Sequence, residues 1–130
     1  MFKMIQGIPA PKIEYIWPLA MPVLKRAVDI AGEEDLENIK KDLLNRDRQL
    51  WMVGENSYAV TSIQKYPQKK ILFICYLAGE GIKEWIKELD HCMTTFAKAT
   101  ECTAIRWQGR MGWSKILNYD IRYVVMEKRI

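Results

Sequence analysis

Apolar positions recur along this chain with two different periods, and the switches between them mark out its elements. Leu19, Val23, Leu24, Ala27, Val28 and Ala31 follow three-and-four spacing, which predicts a helix opening at Trp17-Pro18-Leu19 and closing at Gly32. Pro18 suits a first helical turn, and Pro22 lies early enough to be tolerated there or to mark the start itself. Glu33-Glu34-Asp35 then puts negative charge where a second helix exposes its free amides, and Leu36, Ile39, Leu43 and Leu44 give that helix an apolar stripe. The period changes at residues 50–53, a short β run closed by Gly54-Glu55-Asn56, which is hairpin chemistry. Residues 58–64 alternate, with Tyr58, Val60 and Ser62 on one side and Ala59, Thr61 and Ile63 on the other. After a turn at Pro67-Gln68-Lys69-Lys70, residues 71–77 form a nearly unbroken apolar run, the pattern of a strand buried on both faces.

Gly79-Glu80-Gly81 follows, and behind it Ile82, Trp85, Ile86, Leu89, Met93, Phe96 and Ala97 make the clearest amphipathic helix in the chain. A strand at 103–107, a short helix at 109–117 and a final strand at 121–126 complete the reading, with a further strand expected at 2–5. The order is (β)ααβββαβαβ, of the α/β (α+β) class.

Composition narrows this to one domain spanning 1–130. The chain has 130 residues, 49% of them hydrophobic and 28% charged, which excludes disordered and collagen-like classes. Three cysteines without a CxxC pair and a single histidine argue against a disulfide framework and against a zinc site, so no metal is expected and a reducing cytoplasm is the default compartment. Residues 1–5 are too soon interrupted by Gly7, Pro9 and Pro11 for a signal peptide, and no apolar run reaches the ~18 residues of a membrane span. Twenty basic residues face 16 acidic ones, a net charge of +4. The stretch 103–130 alone carries six basic residues against two acidic, which suggests an anionic ligand.

The junction of the buried strand with the long helix, Cys75-Tyr76-Leu77-Ala78-Gly79-Glu80-Gly81-Ile82, is the most informative spot. A helix start carries four unpaired amides and about half a positive charge, and glycines allow an anion close to the backbone, so this corner is a candidate phosphate cradle. Lys83 would assist an anion; Glu80 would oppose one. The competing reading is a helix entry that simply needs two flexible residues. Cys75, in an apolar strand, reads as a buried inert thiol rather than a nucleophile. His91 has no second ligand at metal spacing and reads as a polar surface residue. Trp51 and Trp85 are placed like core residues, whereas Trp113, in a glycine-rich turn with Arg110, is the tryptophan expected to face a ligand or partner.

With that corner in its element order, the chain resembles the GNAT superfamily of acyl-CoA N-acyltransferases. In the family's [Gln/Arg]-x-x-Gly-x-[Gly/Ala] loop, backbone amides hold the CoA pyrophosphate. Here Tyr76-Leu77-Ala78-Gly79-Glu80-Gly81 keeps both glycine slots and Ile82 continues the pattern, while Tyr76 replaces the Gln or Arg. The resemblance implies a mixed, largely antiparallel sheet with helices on both faces and an acetyl-CoA (acyl-CoA) cofactor. Cys75, Tyr76, Leu77, Gly79, Glu80, Gly81, Ile82 and Lys83 are its expected binding residues. It also implies direct attack by a primary amine in a ternary complex. In the family's Asn-x-x-Ala-x-x-Leu-Tyr-x-x-x-Gly-Phe segment, placing Ile121 in the final slot leaves Gly112 as the one close match and puts Ile116 where many members keep an acidic tyrosine. Tyr119, three residues on, is the candidate catalytic substitute. The run Gln108-Gly109-Arg110-Met111-Gly112-Trp113 is similar to a segment of short phage-encoded GNAT-like proteins.

No base stands out. Glu55, Glu80 and Glu84 are distant carboxylates. A single-strand nucleic-acid surface built from Arg106, Arg110, Lys115, Arg122, Lys128 and Arg129 with Trp107, Trp113, Tyr119 and Tyr123 is weaker than the reading of a half-solvated sheet face. The charged stretch 33–48 reads as solvated. The expected activity is acetyl transfer to a primary amine. The alternative is a degenerate GNAT-like binding or structural protein, of the cytoplasm or a phage virion, with a protein partner or a second copy of itself.

Overall fold

The computed structural model describes residues 5–108, 115 and 117–130. Arg110, Gly112, Trp113 and most of the helix expected at 109–117 lie outside them, as do residues 2–4.

Helix α1 (Ile13–Ala31) starts at Ile13 rather than at Trp17, after a single 3-10 turn (Ala10–Lys12). Its buried stripe is Ile13, Trp17, Ala20, Leu24 and Val28, so the helix is rotated relative to the expected stripe. Leu19 is 62% exposed. Pro18 and Pro22 lie inside it, on the exposed side. Each removes one backbone bond, and the packed opposite face outweighs that loss. Gly32, at φ 66°, closes the helix with its amide on the Val28 carbonyl, the left-handed cap that glycine adopts without a Cβ penalty. Helix α2 (Leu36–Leu44) is capped by Asp35, whose side chain accepts the Asn38 amide at 2.8 Å. Ile39 and Leu43 are its buried residues.

The sheet has five strands in sequential order: β1 (Ile5–Ile8), β2 (Gln49–Val53), β3 (Ser57–Lys65), β4 (Lys70–Ala78) and β5 (Ala104–Trp107). All neighbours are antiparallel except β4 and β5, which are parallel and joined through α3 (Ile82–Ala99). A parallel pair needs such a crossover. The sides assigned to β3 hold. Tyr58 and Val60 pack with α1 and α2 in one cluster, while Ala59 and Ile63 pack with α3 in the other. The α3 stripe holds as well, with Ile86, Leu89, Met93 and Ala97 buried and Ile82, Trp85 and Phe96 packed at the rim. Trp51 meets Phe96 edge-on at 5.0 Å. The mixed, largely antiparallel sheet with helices on both faces is therefore present.

The expected final strand is not. Residues 121–130 carry no strand and are exposed, with Val125 at 73% and Met126 at 88%. Alternation and β-branched residues fit a segment to a pleated surface, but a strand exists only where an edge pairs with it. No helix among the described residues is long and apolar enough to cross a membrane.

Candidate cofactor site

The site begins with an irregularity in β4. Val60 pairs with Tyr76 and Thr61 with Ile74, so Cys75 is an extra residue, a β-bulge. A bulge breaks the alternation of sides, and Cys75 and Tyr76 consequently both pack on the α1/α2 side while Ile74 and Leu77 lie on the α3 side. Pairing with β5 stops at the same place. Ile71–Ile74 match Ala104–Trp107, but β4 runs on to Ala78. Among the described residues, Tyr76, Leu77 and Ala78 pair with β3 alone. Half of their main-chain groups therefore face an edge that no strand of the described residues covers.

At the end of that edge the two glycines play different parts. Gly79 has φ +133°, and a Cβ there would lie 2.2 Å from Ser57 Oγ and 2.6 Å from the Asn56 carbonyl. The hairpin turn between β2 and β3 thus demands this glycine for packing. Gly81, at φ +69°, is the N-cap of α3 and, as a glycine, brings no capping side chain of its own. A Cβ on it would meet nothing closer than 3.8 Å. Gly54 interlocks the same two segments from the other side, since a Cβ there would strike the Trp85 indole at 2.5 Å. Ser57, 1% exposed, donates its hydroxyl to the Glu80 carbonyl at 3.0 Å. Glu80, Gly81, Lys83 and Glu84 are all exposed, so the corner presents a helix start, one cation and two carboxylates to solvent.

Of the expected binding residues, Gly79, Glu80, Gly81 and Lys83 are brought together at this surface. Three others turn their side chains inward. Leu77 and Ile82 pack against the α3 cluster, and Tyr76 is 9% exposed with its hydroxyl donated to Glu34 Oε2 at 2.6 Å. Cys75 Sγ lies 3.4 Å from Ser62 Oγ, and burial pushes its thiol up, consistent with an inert group. Tyr119 donates its proton to Asp90 Oδ1 on α3. Burial first, and then the hydrogen bond and charge of Asp90, push the phenol up.

The inward turn of Tyr76 leads to a cluster that the sequence reading placed in solvent. Arg48 grips Glu34 with both terminal nitrogens at 2.9 Å and reaches Asp42 through Nε at 3.0 Å. Asn38 Nδ2 adds a bond to Glu34 at 2.8 Å. The Arg48 and Glu34 side chains are 18% and 16% exposed. Burial pushes the Glu34 carboxyl up, but the bonds from Arg48, Tyr76 and Asn38 and the Arg48 charge outweigh it and hold the group below its ordinary value. A carboxylate so held is a poor proton acceptor. Charge counting along residues 33–48 could not reveal this, because Tyr76 comes from 42 residues away. Ser57 was equally hidden. Its one sequence signal is a serine directly after a hairpin turn.

A half-open pocket of about 290 Å³ between the start of α1 and β2, lined among others by Ile8, Ile13, Leu43, Arg46 and Gln49, does not touch the corner. Among the described residues no group of three His, Cys, Asp or Glu side chains is arranged to hold a metal ion.

No family model matches the chain, and no curated protein matches it in sequence. Solved structures do. A probable acetyltransferase superposes with a TM-score of 0.70 at 7% identity, over 98% of this chain and 96% of its own. A ribosomal-protein-alanine N-acetyltransferase from Brucella melitensis biovar Abortus 2308 gives 0.68 at 9% identity, over 98% and 99%. A predicted acetyltransferase with acetyl-CoA from Clostridium acetobutylicum gives 0.67 at 13% identity, over 98% and 96%. The fold is that of the GNAT-type acetyltransferases. At these identities the likeness concerns the fold.

Proposed function

We propose that the chain binds acetyl-CoA, or another acyl-CoA, and transfers the acyl group to a primary amine. The observation that carries this reading is the half-open edge of β4. Among the described residues, the bulge at Cys75 and the end of β5 at Trp107 leave the main chain of Tyr76, Leu77 and Ala78 unpaired on one side, and that edge runs straight into the glycine-capped start of α3. An extended amide-bearing arm fits the first, and a diphosphate fits the second. The residues that would hold the cofactor are the main chain of 75–78, the amides of Gly81 and of the first turn of α3, and the Lys83 side chain.

When bound, the thioester supplies an electrophilic carbonyl and a thiolate leaving group. The chain must then position a neutral amine and provide a proton for the thiolate. Tyr119 is the candidate donor. Its raised phenol stays protonated at neutral pH, and its one proton, held on Asp90 in this structure, would pass to the thiolate only as the bond to Asp90 gives way. Glu80 and Glu84, at the corner, and Glu55, in the hairpin turn, are the candidate carboxylates to accept the amine's proton. Two solved neighbours are an aminoglycoside acetyltransferase from an uncultured soil metagenomic sample in complex with trehalose and with sisomicin, which supports an amine acceptor as the substrate class.

Titration calorimetry and thermal melting with CoA test the reading. Saturation at a hundred times Kd is expected to stabilise the chain by about 2.7 kcal/mol. The absence of both heat and stabilisation overturns it. That outcome favours the second reading, a GNAT-fold binding or structural protein, for which the engagement of Tyr76 by Glu34 and the carboxylates around the corner are the supporting observations.

A further inference from the structure

We propose that Ser57 is the positioning residue of the corner: from the neighbouring strand it fixes the orientation of the Glu80–Gly81 peptide so that the Gly81 amide faces the ligand. This rests on the cofactor reading above and deepens it. The β3–β4 register pairs Tyr58 with Ala78, and one step further along the antiparallel ladder Ser57 stands opposite Gly79. Its side chain fills the space that any larger residue at 79 would need, which brings the hydroxyl within 3.0 Å of the Glu80 carbonyl. No cis peptide bond occurs among the described residues. A trans peptide holds its N–H opposite its C=O. Pinning the Glu80 oxygen against buried Ser57 therefore turns the Gly81 N–H away from the hairpin and toward the exposed side of the corner.

Without this bond the loop has a choice. Glycine at both 79 and 81 leaves the intervening peptide free to rotate, and a rotated peptide would offer an anion a carbonyl oxygen instead of an amide. Ser57 removes that alternative before any ligand arrives, which is the general effect of preorganisation on affinity.

The test uses the full chain and free CoA. In calorimetry, Ser57→Ala is expected to weaken CoA binding about tenfold, the size of one lost hydrogen bond's share of the free energy. Ser57→Thr, which keeps the hydroxyl, stays within about threefold of the parent. A merely structural serine would not alter the ligand response of one particular amide, so the Gly81 amide resonance is followed as well. It shifts on CoA addition in the parent and in Ser57→Thr, and shifts markedly less in Ser57→Ala. Ser57→Cys, similar in volume but a weak donor, repeats the comparison if the alanine variant unfolds. Parent-like affinity with an unchanged Gly81 response in the variant lacking the hydroxyl overturns the role of Ser57 and leaves the cofactor reading intact. Failure of the parent chain to bind CoA overturns the cofactor reading itself, and the two failures are told apart in the first titration.

Discussion

The end of β4 has two polar regions, and they are built in opposite ways. On the α1/α2 side, Glu34, Arg48, Asp42, Asn38 and Tyr76 satisfy one another, with every bond supplied by the chain. At the corner, Ser57 fixes one carbonyl, and the helix start behind it has a glycine as its N-cap, with no capping side chain of its own. The first region is closed and the second is open. Among the described residues no buried side-chain nitrogen or oxygen lacks a partner, so the protein does satisfy polar groups where it buries them. Main-chain groups left facing outward at the corner and along the free half of β4 are where a ligand can add bonds that folding has not already used.

The sharpest break in this comparison lies between the two glycines. Gly79→Ala forces a Cβ into Ser57 and into the Asn56 carbonyl at an unfavourable φ, and is expected to cost about 4 kcal/mol in urea denaturation. Arg48→Met strands Glu34 in a half-buried setting and should cost about 3 kcal/mol at neutral pH. Adding Glu34→Gln to that variant should restore part of the loss, because the uncompensated charge is then gone.

Acid probes the same closed cluster. The Glu34 carboxyl is lowered in the folded chain, so its contribution is complete above its unfolded pKa of about 4.3 and fades as pH falls through the lower folded value. Glu34→Gln should therefore be less stable than the parent by about 1.5 kcal/mol at neutral pH, and the two denaturation midpoints should converge in acid once pH falls below the lowered folded value. A difference that persists at low pH would show that the cluster acts through packing rather than charge.

The smallest effect on stability belongs to the open region. Gly81→Ala costs about 1 kcal/mol for its left-handed backbone, since its surroundings leave room for the methyl. Its CoA affinity should nevertheless fall about tenfold as the amide is crowded. Equal CoA affinity in this variant and the parent would separate Gly81 from the ligand.

What could be read from the chain was local. The α3 stripe from Ile82 to Ala97, the sides of Tyr58 to Ile63, the hairpin at Gly54 and the doubly buried β4 each follow from periodicity within one element, where burial of one face is the dominant force. The glycines at 79 and 81 were visible too, and so was the resemblance they carry. Their division of labour was not. Gly79 is required because Ser57, 22 residues earlier, lies against it, and no local pattern encodes that register. The start of α1 at Ile13 and the rotation of its buried stripe were settled by which face met the sheet, against the usual reading of Pro18 and Pro22. Residues 121–130 have the alternation of a strand but pair with none, since a ladder needs two partners and a sequence segment describes one. By itself the sequence determined the core of the helices α1, α2 and α3 and of the strands β2 to β5 and which of their faces seek burial, but not the fate of residues 121–130. Tertiary structure alone decided the Glu34 cluster, the bulge at Cys75 and the bond from Ser57 to the Glu80 carbonyl, because each depends on groups distant in the chain meeting at hydrogen-bond distance.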